Sequence, residues 1–147
     1  GRKTNMIPDL VEIEVDIRTV PGTTQADVDA HLHAALGDLA HQVDISTLQA
    51  HDATESPRGN ALWAAVSNAT QVAYPGASLV PGMIVGGTDA RFYRDKGAIA
   101  YGTGLFSPHV TFETFGSRFH GNDERIDIES LGLAADFWIH IAQEICG

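Results

Sequence analysis

Between residues 10 and 18 the chain alternates without a break. Val11, Ile13, Val15 and Ile17 fall on one face, and Glu12, Glu14, Asp16 and Arg18 on the other. Period two is the pattern of a half-buried strand, and a strand needs neighbours to complete its hydrogen bonds. Pro21-Gly22 ends the run. Thr23 or Thr24 then caps a helix with Asp27 in its first turn, and Val28, Leu32, Ala35, Leu36 and Leu39 follow at helical spacing. Residues 43–48 alternate again, Val43, Ile45 and Thr47 against Asp44, Ser46 and Leu48. Strand, helix, strand is half of a small α+β layer, which requires partner strands to close its sheet.

The polar stretch 49–60, with Ser56-Pro57-Arg58-Gly59-Asn60, breaks this pattern and sets a domain boundary. It divides the chain into residues 1–54 and 55–147. A helix then runs from Asn60 or Ala61 to Ala73, with Leu62, Ala65, Val66, Ala69 and Val72 on one face, and Tyr74-Pro75-Gly76 stops it. Ala98-Ile99-Ala100-Tyr101-Gly102 reads as a buried strand. Residues 103–118 read as loop, where Phe106, Phe112 and Phe115 either line a pocket or pack beneath the chain. A last helix begins near Asp127, with Leu131, Ala134, Ala135, Trp138, Ile141, Ala142 and Ile145 as its buried stripe. Strands mixed with helices make the expected fold class α/β.

Charge and cysteine usage narrow the function. A net charge of -10 argues against nucleic acid, whose phosphates call for a basic patch. No apolar run approaches the length of a membrane span. The single cysteine, Cys146, excludes an internal disulfide and fits a reducing, cytoplasmic setting.

Two short stretches carry chemistry. Gly86-Gly87-Thr88-Asp89-Ala90-Arg91 follows the apolar run Met83-Ile84-Val85, and His120-Gly121-Asn122-Asp123-Glu124-Arg125 precedes the last helix. Taken alone, the first is a tight turn using glycine for positive φ, and the second is a loop histidine bonded to Asp123 or Glu124. One histidine does not make a metal site. His31 and His33 point about 200° apart on a helix, so they share no face, and His51-Asp52 lacks ligand spacing. These, with His41, read as solvated surface.

Together with Asn5-Met6-Ile7-Pro8 and Asp16-Ile17-Arg18, however, the two stretches resemble a known family. It is metallopeptidase family M-20, the zinc-dependent aminoacylases, acetylornithine deacetylases and succinyl-diaminopimelate desuccinylases. Three motifs stand in family order and cover nearly the whole chain. The resemblance implies a partial lid or dimerisation domain over residues 1–54, and the C-terminal part of an α/β/α zinc-hydrolase domain over 55–147. It implies hydrolysis of an amide, of N-acyl amino acid or dipeptide type, with two zinc ions in the full enzyme or another divalent metal in their place. His120 matches a terminal metal ligand. Glu124 either orients that ring or marks the helix start. Gly86, Gly87 and Thr88 would offer backbone N–H groups and a hydroxyl to the substrate, and Asn5 and Arg18 would reach its carboxylate, unless Asp16 or Glu14 already neutralises Arg18. The family's His-x-Asp motif and acidic pair, which include the general base, are not in this sequence. No residue here is therefore assigned to catalysis, and the chain by itself is expected to be inactive. Its implied partners are the N-terminal part of the same enzyme, a small-molecule amide substrate and a second copy in a homodimer. The alternative is a stand-alone, non-catalytic binding or dimerisation module.

Overall fold

The computed structural model describes residues 4–147. The chain divides into two compact units, the first ending at Thr54 and the second beginning at Glu55.

The first unit is built on helix α1, Gln25–Leu36, which runs into the 3₁₀ turn Gly37–Gln42. Its start is locally encoded. The Thr24 hydroxyl accepts from the Asp27 N–H at 3.2 Å, and the Asp27 carboxylate accepts from the Thr24 N–H at 2.8 Å, which closes a reciprocal capping box. Hydrogen bonds from the Thr24 side chain and backbone hold the Asp27 carboxyl below its usual range. Val28, Leu32 and Leu36 are only half-buried, and no residue of α1 is fully buried.

The α/β expectation fails here. Among the described residues there is no strand. Residues 10–18 carry the right alternation, but they form no ladder with another segment among the described residues, and Ile13 is left 79% exposed. Alternation marks a segment that can join a sheet; only a paired neighbour makes it a strand. Residues 43–48 likewise form no ladder.

The second unit rests on two helices, α2, Ala61–Ala73, and, after two short helices, α5, Ile128–Cys146. Asn60 caps α2 by accepting from the Trp63 N–H at 3.0 Å. Ala65, Val66 and Ala69 of α2 meet Phe137 and Ile141 of α5, with Leu105 beside them, and this is the core. Small residues on α2 let the large Phe137 approach closely. Asn68 adds a bond to the Glu144 carboxylate at 2.8 Å.

The expected strand 98–102 is also absent. Side chains take the place of its ladder. The Ala100 N–H donates to the Ser56 hydroxyl at 3.0 Å, and the Ala100 carbonyl accepts from Arg94 Nη2 at 2.6 Å. The Tyr101 hydroxyl donates to the Pro57 carbonyl at 2.6 Å, and its ring stands edge-on to Trp63 at 5.5 Å. Backbone groups need partners, and at Ala100 the side chains of Ser56, 44 residues away, and Arg94, 6 residues away, supply them.

The stripe expected for α5 is corrected in part. Ile141 is buried as expected, but Leu131, Trp138 and Ile145 are exposed, and Ser130 and Phe137 face inward in their place. In total the chain exposes 11935 Å². Two separate compact units of these sizes would expose only roughly 8,700 Å² by the usual scaling.

Candidate functional site

Two short helices and a loop frame the part of the second unit where the motifs lie. Helix α3, Ala90–Arg94, follows the glycine motif, and α4, Phe112–Gly116, falls within the stretch read as loop. Thr111 starts α4 by accepting from the Thr114 N–H at 3.1 Å.

Gly86, Gly87 and Thr88 lie in an exposed segment. Neither glycine has positive φ, and a Cβ at either would meet nothing within 4 Å. The turn reading does not account for these glycines. Thr88 is engaged locally, its hydroxyl accepting from the Ala90 N–H at 3.0 Å at the entry to α3. Asn5 and Arg18 belong to the first unit, and both are exposed. The Arg18 guanidinium is held by the Asp16 carboxylate through Nε at 3.0 Å and through Nη2, the neutralisation that the neighbouring acids had suggested.

His120 is exposed, with φ at 56°. Asp123, three residues on, has φ at 62°. Left-handed backbone is uncommon outside glycine, though His and Asp tolerate it better than most. Two such residues in one motif hold the loop in a bent path. The His120 imidazole makes no side-chain hydrogen bond to Asp123, Glu124 or any other described residue. Its ring neighbour is Phe119, centroid to centroid 6.4 Å.

Phe119 begins a chain of rings. It stands edge-on to Phe115 at 4.4 Å, and Phe115 stands edge-on to Phe106 at 4.4 Å. With Val110 and Ile126 these rings line a cleft of about 380 Å³ whose charged wall is Arg118, Glu124 and Arg125. So Phe106 and Phe115 line a pocket, while Phe112 points away, 90% exposed.

Behind the cleft a polar cluster fixes this wall to α5. Asp127 caps α5, accepting from the Ser130 N–H and the Ser130 hydroxyl, each at 2.8 Å, and from Arg118 Nη1 at 2.8 Å. These bonds, the Ser130 N–H foremost, bring the Asp127 carboxyl down to about 2. The buried Ser130 hydroxyl accepts in turn from the Ser107 N–H at 2.9 Å, and the Ser107 hydroxyl donates to Glu129 at 2.6 Å. The Tyr74 hydroxyl donates to the Phe106 carbonyl. Burial pushes the Tyr74 phenol up, and the Glu129 charge adds to the effect. Sequence reasoning missed this cluster because Ser107 joins Glu129 and Ser130 across 22 and 23 residues; the local signal for it was Asp127-x-x-Ser130, a helix-start pattern.

No group of three His, Cys, Asp or Glu residues able to hold a metal occurs among the described residues. His120 offers one imidazole, so these residues by themselves do not fit a two-zinc centre. No helix among them is long and apolar enough to cross a membrane.

Comparison with known proteins adds to the geometry. Peptidase family M20/M25/M40 matches residues 5–144. The N-fatty-acyl-amino acid synthase/hydrolase PM20D1 of Xenopus tropicalis is 30% identical over 145 residues, covering 97% of this chain and 27% of that protein. The Dictyostelium discoideum protein named "Probable carboxypeptidase S-like 2" is 25% identical over 141 residues, covering 96% of this chain and 27% of its own length. This chain thus spans about a quarter of these relatives. No solved structure matches it.

Proposed function

Since the chain belongs to Peptidase family M20/M25/M40, a family of hydrolases, we propose that it serves amide hydrolysis within a protein of its relatives' length. The substrate class is an N-acyl amino acid or a peptide carboxyl end, in keeping with the names of the two relatives. Family members generally depend on a metal, and zinc is the ion we propose. A metal of this kind polarises a carbonyl and activates water. The chain's own part is to present His120 as one ligand and to shape the substrate's surroundings.

The observation that carries this reading is the state of His120. Its ring is exposed and makes no hydrogen bond to another described residue, at the head of the family motif on left-handed backbone. Strained backbone concentrates where function demands it, and a ring that no protein group occupies is open to a ligand's role.

The test is His120→Ala in a protein of the relatives' length. Metal content should fall and turnover of an N-acyl amino acid should drop by at least about a hundredfold, as for loss of a group acting at the reacting centre. Unchanged metal content with unchanged turnover would reject the assignment.

A further inference from the structure

We propose that the ring-lined cleft beside His120 binds an amphipathic monocarboxylate, with the apolar body among Phe106, Phe115 and Phe119 and the carboxylate on Arg125. The apolar half of the argument is the floor. Three phenyl rings in edge-on contact, with Val110 and Ile126, leave a surface that water wets poorly. Its volume of about 380 Å³ lies within the range of small-molecule sites.

The polar half is the state of the two guanidinium groups. Arg118 is held by Asp127, and its Nε is buried without a hydrogen-bond partner among the described residues. Arg125 donates from Nη1 to the Asp123 carbonyl at 2.8 Å, and no carboxylate among the described residues lies within ion-pair distance of it. This chain has nine Lys and Arg residues against nineteen Asp and Glu. Two of those nine stand on one apolar cleft, and the charge on Arg125 is unspent. An unpaired guanidinium next to an apolar floor selects an anion with an apolar body, because a carboxylate can meet the fork with two parallel bonds. Glu124, on the same wall, repels a second carboxylate and so favours a monoacid over a diacid.

Phe119 is both the end of the ring chain and the neighbour of His120. His120 itself does not line the cleft, and Phe119 is the ring that links the two. That the ligand's amide is the bond cleaved rests on the reading of His120 above; the binding itself does not.

Isothermal titration of this chain with N-hexanoyl-, N-octanoyl- and N-decanoylglycine tests the site, with circular dichroism to verify that each variant keeps its helices. Affinity should rise about fourfold per added methylene. Phe119→Ala should weaken binding about tenfold or more. Arg125→Gln should abolish the preference for N-decanoylglycine over its neutral C-terminal amide, and Phe112→Ala should change nothing. Affinity indifferent to chain length, or equal for acid and amide in the unaltered chain, overturns the proposal. If a protein of the relatives' length hydrolyses these amides while the cleft shows no such selectivity, the cleft alone is wrong. If the selectivity holds and no hydrolysis occurs, the reaction is wrong and the cleft stands.

Discussion

Helix α5 has two apolar faces, and only one is used. Phe137 and Ile141 are buried against α2. On the other side Ile128, Leu131, Ala135, Trp138, Ala142 and Ile145 recur at intervals of three and four, and all six are exposed. Both faces satisfy the helical period. The difference between them lies in the partner: the small residues Ala65, Val66 and Ala69 of α2 receive one face, and nothing among the described residues of this unit covers the other. Apolar spacing identifies faces that can be buried; packing decides which one is.

The largest effect that would test this contrast is Phe137→Ala. Phe137 is 2% exposed in a core of six buried apolar residues, so little neighbouring structure can collapse into the space. The loss should be about 3–5 kcal/mol, measured by urea denaturation of the chain. A loss under about 1 kcal/mol would mean that the buried face has been misassigned.

Next in size is the polar anchor at the start of the same helix. Ser130→Ala removes the acceptor for the buried Ser107 N–H and one donor to Asp127. Leaving a buried N–H without a partner costs about 1–3 kcal/mol. The charge at this anchor has its own signature. Asp127 is depressed from 3.8 to about 2, so the folded state favours the ionised form. Its contribution is fully present above the unfolded value and is lost as pH falls through the folded one. Asp127→Asn should therefore flatten the acid dependence of stability between pH 3.8 and about 2. An unchanged acid limb would place that dependence on other carboxylates.

What could be read from the sequence follows the same division. Thr24 with Asp27, Asn60 and Asp127 announced three helix starts, because a cap is a contact between residues two or three apart. The motifs around Gly86 and His120 were legible because a family resemblance needs no three-dimensional partner. The strands over 10–18, 43–48 and 98–102 were misread because a ladder depends on a neighbour that the local pattern cannot supply. Helix α4 was missed, although Thr111 and Thr114 carry its cap. The cleft was half legible. Phe106 and Phe115 were noticed as possible lining, while Phe119, Arg118 and Arg125, which complete it, join them only through the fold.

The smallest predicted effect settles the contrast most directly. The periodicity of α5 places Leu131 in its buried stripe, and truncating a core leucine costs about 2–5 kcal/mol. In the structure Leu131 is 55% exposed, one position from the fully buried Ser130. A polar side chain there faces solvent, keeps a good helix propensity as glutamine, and leaves no cavity. Leu131→Gln should therefore shift the stability of this chain by no more than about 0.5 kcal/mol, the range for surface positions. Paired with Phe137→Ala in the same denaturation experiment, it compares the two faces under one set of conditions. The sites are six residues apart and about 120° apart around the helix, so their effects should add. A destabilisation by Leu131→Gln approaching that of Phe137→Ala would mean that the second face is also packed in solution, and that the exposure seen along Leu131, Trp138 and Ile145 does not describe the free chain.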